Sequence, residues 1–158
     1  MTDTVQGPLV YLDANPIVYA LEGPDELAAA LKNLFSIFRS RPGIAVTSEL
    51  TLAEVLPKKR IPDRQFFDLL IWSKVLELLP VTREILLETA RYRQVARPRR
   101  SGTPVAMPKL PDSIHVVTAI RAGCGAFVSS DRHISLPVNM KLVQADKLGI
   151  ETLVRELA

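Results

Sequence analysis

The stretch KLPDSIHVVTAIRAGCGAFVSSDRH, residues 109–133, decides the fold. Pro111 suits the first turn of a helix, where its missing N–H leaves no hydrogen bond unmade. Ile114, Val117, Thr118 and the Ile120–Arg121 pair recur at helical spacing and predict one apolar face. Gly123 and Gly125 end the helix, because glycine takes the left-handed cap conformation without strain. Residues 126–129 are short, apolar and β-prone, as expected of a strand covered on both faces. Asp112 thus opens the helix, and Asp131 stands just past the strand's carboxyl end. In open α/β sheets ligands bind at that edge.

Upstream, residues 1–8 form a polar tail and residues 9–12 (LVYL) a first buried strand, closed by Asp13. Pro16 opens a helix through Leu21, which Gly23-Pro24 breaks. Residues 25–39 predict an amphipathic helix with Leu27, Leu31, Leu34, Phe35 and Phe38 on one side. Residues 44–47 (IAVT) are a second buried strand. Ser48 is placed as N-cap of a helix carrying Leu50, Ala53, Glu54 and Leu56. Pro57 stops it, and Lys58, Lys59 and Arg60 follow as a basic connector. A helix is expected over 63–73, a third strand near a sheet edge over 75–79, and a long helix after Thr82. Residues 97–109 (RPRRSGTPVAMPK) are proline-rich, basic and without periodicity, which reads as a flexible loop or lid. Residues 141–143 make a last strand and 152–157 a terminal helix. With no repeat and no domain boundary, residues 1–158 read as a single domain. Strands alternating with helices predict an α/β fold, a mostly parallel central sheet covered by helices on both faces.

Composition narrows the function. A chain of 158 residues with 47% hydrophobic side chains has enough apolar material for a core and is not a disordered segment. Lys plus Arg number 20 against 17 Asp plus Glu, and a net charge of +3 does not by itself argue for nucleic acid. Cys124 is the only cysteine, so no internal disulfide forms and a reducing compartment fits. The start, MTDTVQGPLV, lacks the basic and apolar regions of a signal peptide. No uncharged apolar run approaches the roughly 20 residues that span a bilayer. These features predict a cytoplasmic protein without a membrane segment. No glycine-rich phosphate loop is present.

Four acids share a structural address. Asp13 ends the first strand and Asp131 follows the strand at 126–129; parallel strands put both on one rim. Glu54 and Asp112 reach that rim if their helices pack suitably. Each has an ordinary reading: Asp112 as a helix-start acid, Glu54 as a solvated helix residue, Asp131 as a turn former. Asp13 is the exception, because an acid closing an apolar strand is costly to bury without a partner. Clustered carboxylates raise each other's pKa unless a cation intervenes, and Mg²⁺ or Mn²⁺ takes such oxygen ligands.

The segments VYLDANPIVYALE (10–22), TSELTLAEVL (47–56), LPDSIHVVTAI (110–120) and FVSSDRH (127–133) together resemble the PIN-domain ribonucleases, and more narrowly the VapC-type toxins of toxin–antitoxin pairs. The four blocks stand in the family's order across nearly the whole chain. The resemblance assigns the four family acids to Asp13, Glu54, Asp112 and Asp131. It implies Mg²⁺- or Mn²⁺-dependent hydrolysis of RNA, with water attacking phosphorus in line to leave a 5′-phosphate and a 3′-hydroxyl. Asp13, Asp112 and Asp131 would bind metal directly or through water, and Glu54 would be a ligand or position the water. Asn15 and Ser130 would orient a carboxylate or a bound water. A cognate antitoxin and a homodimer are the implied partners. The stretch at 97–109 is long for a minimal toxin of this type.

Other residues carry less. His115 reads as a packed or hydrogen-bonded helix residue, Cys124 as inert and Trp72 as core or interface. Arg97, Arg99 and Arg100, and then Lys58, Lys59 and Arg60, are the candidate RNA-phosphate contacts. A haloacid-dehalogenase phosphatase needs a second aspartate where Asn15 stands, and a response-regulator receiver needs an acidic pair near its first strand. The remaining rival is a degenerate PIN domain that binds RNA or protein without cutting. The apolar surface of helix 25–39, with Phe66, Phe67 and Trp72, predicts a symmetric dimer.

Overall fold

The structure is a computed structural model, and it describes residues 9–58, 60–95 and 107–158. Five strands form one sheet in the order β3-β2-β1-β4-β5: β1 (Val10–Leu12), β2 (Ala45–Ser48), β3 (Glu77–Leu79), β4 (Ala126–Ser129) and β5 (Lys141–Gln144). Every pairing is parallel, with Leu12 opposite Val128 and Tyr11 opposite both Val46 and Phe127. The α/β class and the parallel sheet expected from the sequence are both present, and β3 is an edge strand as expected.

Seven α-helices cover the sheet among the described residues: α1 (Ala14–Glu22), α2 (Asp25–Ser40), α3 (Leu50–Val55), α4 (Asp63–Phe67), α5 (Arg83–Val95), α6 (Leu110–Ala122) and α7 (Lys147–Leu157). Side chains alternate across each strand, so β1 sends Val10 and Leu12 to one face and Tyr11 to the other. The first face packs Val10, Leu12 and Val128 against Ile17 of α1, Leu31, Leu34 and Phe38 of α2, and Ile150 and Leu153 of α7. The second packs Tyr11, Val46 and Phe127 against Val116 and Ala119 of α6. Ile85 of α5 then covers Ile114 and Val117 from outside.

Several boundaries differ from expectation. Helix α1 begins before Pro16, because Asp13 caps it. The N-cap position of α3 is Glu49 rather than Ser48, and the Ser48 hydroxyl instead accepts from the Leu50 N–H at 3.1 Å. The helix over 63–73 is α4 followed by a π-helical turn, Asp68–Trp72. Thr82 caps α5 through a bond from the Ile85 N–H at 3.2 Å. Helix α6 is not one-sided: residues 113–119 are all buried, because the sheet covers one side and α5 another. The apolar side of α2, expected to be spare, is taken by α1 and α7 within the chain. Phe66 is buried, while Trp72 is 65% exposed. Among the described residues no helix is long and apolar enough to cross a membrane. The 97–109 loop lies outside the described residues except for 107–109, and so does the tail at 1–8.

Candidate active site

Parallel strands end together, and the carboxyl ends of β1, β2 and β4 form one rim. Asp13 follows β1 as N-cap of α1, its Oδ1 accepting from the Ala14 N–H at 2.7 Å. Its own N–H donates to the Val128 carbonyl at 3.0 Å, extending the β1–β4 ladder by one residue. The Ser129 hydroxyl donates to Oδ2 of Asp13 at 3.0 Å. A carboxylate only 7% exposed needs such partners.

Asp131 sits two residues past β4. Its N–H donates to Oγ of Ser129 at 3.0 Å, and its Oδ1 accepts from the His133 N–H at 2.9 Å. It is therefore a turn former as well as a rim acid. Asp112 is the third residue of α6, next to Pro111 in the first turn. Helix α6 runs down from the rim, Gly123 turns the chain at φ 74°, and β4 returns to the rim.

Glu54 arrives by a separate route. The Thr47 hydroxyl donates to the Leu12 carbonyl at 2.7 Å and pairs with the Thr51 hydroxyl at 2.8 Å. Those bonds fix the start of α3 against the end of β1. Glu54, near the end of α3, pairs through Oε1 with Nε2 of His115. The same Nε2 lies 3.6 Å from Oδ1 of Asp13, and Nδ1 lies 2.5 Å from the Tyr11 hydroxyl oxygen.

Asp13, Glu54, Asp112 and Asp131 line a single cavity of about 570 Å³, together with Asn15, Ser130, Lys58 and Lys109. All four predicted acids and both predicted small polar residues thus come together. The serine bonded to the acids, however, is Ser129, not the predicted Ser130. Of the predicted basic residues Lys58 lines the cavity. Arg60 does not; its backbone N–H is held by the Glu22 carboxylate on α1. Lys59, Arg97, Arg99 and Arg100 lie outside the described residues. Sequence reasoning missed Lys109, although it directly precedes the helix that carries Asp112.

The charges in the cavity are felt. Partial burial raises the Asp112 carboxyl above its usual value, and the negative charges of Asp13 and Asp131 raise it further; His115 and Lys109 act in the opposite sense. The Tyr92 phenol is raised by burial and then by Asp112 and Asp131, and its hydroxyl donates to the Ser135 carbonyl at 2.8 Å. Cys124 is buried and its thiol is pushed up to about 12, which agrees with an inert cysteine. Among the described residues no three acidic, histidine or cysteine side chains converge closely enough to chelate one ion directly. Hard oxygen donors around a roomy cavity fit an ion that keeps several waters, as Mg²⁺ does.

The family model of the PIN domain matches residues 10–136. The chain belongs to the PIN family. The matched part runs from β1 through the rim acids. Beyond it lie β5, which pairs with β4, and α7, which packs on α2. Two solved structures share the fold. VapC20 from Mycobacterium tuberculosis, described as a sarcin–ricin loop cleaving toxin, gives a TM-score of 0.53 at 16% identity, over 75% of this PIN chain and 86% of that one. VapBC2 from Rickettsia felis, bound to a DNA fragment from its promoter, gives a TM-score of 0.61 at 17% identity, over 86% of this chain and 98% of that one. No curated protein sequence matches the chain.

Proposed function

We propose that this single-domain PIN protein is a Mg²⁺- or Mn²⁺-dependent endoribonuclease, the toxin of a VapBC-type toxin–antitoxin pair. The observation that carries the reading is the gathering of four carboxylates in one cavity on a PIN fold, with Asp112 sensing Asp13 and Asp131. Asp13, Asp112 and Asp131 would hold the ion, directly or through water. When bound, such an ion lowers the pKa of water and stabilises charge at phosphorus.

The chain's own residues do the rest. Asp13 is fixed through both oxygens, by the Ala14 N–H and the Ser129 hydroxyl, so its carboxylate is preorganised. Glu54 accepts a hydrogen bond from the attacking water and aims it at phosphorus. The P–O3′ bond breaks as the water oxygen bonds to phosphorus, and the water's protons leave for O3′ and solvent. Asn15 and Ser130 orient waters at the cavity wall. Lys58 and Lys109 hold RNA phosphates beside the acids. Arg97, Arg99, Arg100 and Lys59 are assigned to the same task along the strand.

The likeness of fold to a VapBC2 complex supports an antitoxin partner for this chain, and a toxin of this kind would act in the cytoplasm. The toxin would act as a homodimer, paired through a surface other than the side of α2 that α1 and α7 cover. Light scattering of the purified protein at micromolar concentration tests the dimer, and a strictly monomeric mass removes it.

The test of the reaction is cleavage of a mixed RNA pool with Mn²⁺, with Mg²⁺ and with EDTA, using Asp13→Asn as control. Metal-dependent cutting that the variant lacks is the expected result. RNA binding without cleavage in either metal would replace the nuclease with a degenerate binding module.

A further inference from the structure

We infer that His115 is the positioning residue for Glu54, holding its carboxylate at the acid cavity through a donated Nε2–H while the Tyr11 hydroxyl fixes the ring. This rests on the nuclease reading above. Three elements meet at the ring: β1 through Tyr11, α3 through Glu54 and α6 through His115.

The direction of the bond to Glu54 follows from its partner. A carboxylate only accepts, so Nε2 must carry the hydrogen it shares with Glu54. The other ring nitrogen, Nδ1, stands 2.5 Å from the Tyr11 hydroxyl oxygen. Both ring nitrogens are thus engaged, Nε2 by the Glu54 carboxylate and Nδ1 by the Tyr11 hydroxyl. The ring's orientation is set by packing as well. Tyr11 stacks on Phe127 with centroids 5.0 Å apart, and meets His115 edge-on at 5.7 Å. Tyr11 and His115 are both fully buried.

Glu54 needs such a holder. It stands near the end of a six-residue helix, its side chain is 23% exposed, and a glutamate has several rotatable bonds. Unheld, it would sample rotamers away from the reacting water. Residues on either side of His115 are apolar and buried, so an apolar side chain would fill the same place without the cost of desolvating an imidazole. The polar residue is explained by what its two nitrogens do.

The test compares His115→Phe, which keeps a ring and loses the donor, with His115→Gln, whose amide can still donate toward Glu54. Circular dichroism and thermal melts first establish that each variant is folded. The readouts are kcat and KM on RNA with Mn²⁺, and Mn²⁺ affinity of the RNA-free protein by electron paramagnetic resonance. Outer hydrogen-bond partners of a metal site are commonly worth about 10–100-fold. The phenylalanine variant is therefore expected to lose kcat on that scale, with KM and Mn²⁺ affinity little changed. The glutamine variant should recover most of the loss. In a Glu54→Ala background His115→Phe should add nothing. Where the phenylalanine variant does not fold, Tyr11→Phe removes only the orienting hydroxyl and should lower kcat in the same direction. Wild-type kcat in folded variants, a glutamine variant no better than phenylalanine, or a full further loss in the Glu54→Ala background overturns the positioning role alone. A wild type that neither binds Mn²⁺ nor cuts RNA overturns the nuclease reading, and the positioning role with it.

Discussion

The Ser129 hydroxyl meets the Asp13 carboxylate at 3.0 Å across the β1–β4 pair, so the rim's first acid is bonded to the strand that leads to its fourth. Ser129 also accepts from the Asp131 N–H, and one hydroxyl thereby sets the spacing between two acids. A shift of either strand's register would break both bonds and separate the carboxylates.

Asp13→Asn should abolish RNA cleavage and leave the fold intact. Asparagine caps a helix as well as aspartate does and still bonds with Ser129, but it removes the charge that holds a cation. Asp13→Ala should also lose activity and, with the cap of α1 gone, cost about 1 kcal/mol of stability. Activity assays beside thermal melts separate the two effects; a fully active asparagine variant removes Asp13 from the mechanism.

The raised Asp112 carboxyl makes stability depend on pH in a definite direction. Below the ordinary carboxylate value the group is protonated in both the folded and unfolded states and contributes nothing. As pH rises from there through the higher folded value, the unfolded chain loses its proton first, and stability falls. Asp112→Asn should therefore raise the melting temperature in EDTA at pH 7 and have no effect near pH 3. Mg²⁺ or Mn²⁺ should stabilise the wild type and leave the variant less changed. A variant melting below the wild type at pH 7 in EDTA would contradict the repulsion among these acids.

Lys58 and Lys109 line the cavity on different connectors, one after α3 and one before α6. If they hold phosphates, Lys58→Ala and Lys109→Ala should each raise KM with little effect on kcat. Each should also reduce the slope of log affinity against log salt by roughly 0.7–0.9. RNA affinity measured by fluorescence anisotropy across a salt series checks this, and unchanged slopes would move the substrate path elsewhere.

Gly149 lies in the first turn of α7, where its N–H donates to Oδ1 of Asp146 at 2.7 Å. A Cβ there would run into the Gln144 carbonyl at the end of β5. Gly149→Ala should lower the melting temperature measurably, since α7 can no longer approach β5 and cover α2. A variant that melts with the wild type would show that the junction relaxes at no cost.

The terminal helix starts earlier than its apolar pattern suggests. The sequence places its start at 152, whereas Asp146 caps it and it begins at Lys147. The strands were legible because short apolar runs next to turn residues have few alternatives in an α/β chain. The four acids were legible as a set because parallel strands share an end. The all-round burial of residues 113–119 was not, since being covered by both the sheet and α5 erases the one-sided period that marks a surface helix. Nor was the choice of Ser129 over Ser130: adjacent serines differ by which side of β4 they face, and that depends on register across to β1. His115 was read as a packed, hydrogen-bonded residue, and it is one; its link to Glu54 is a contact 61 residues apart, beyond any local pattern.

Helix α6 has a consequence for how the rim opens. Amide hydrogens in an element buried on all sides exchange only when the whole molecule unfolds, whereas a short helix with few buried residues exchanges by opening locally. Asp112 leads directly into the buried run 113–119, and Asp13 and Asp131 follow the paired strands β1 and β4. Glu54 belongs to the second, on a helix with only Thr51 and Val55 buried. Local opening of α3 would therefore move Glu54 and leave the other three carboxylates in place, and hydrogen exchange should show α3 amides exchanging before those of residues 113–119. The contact that opposes this opening at the cavity is the pairing of His115 with Glu54.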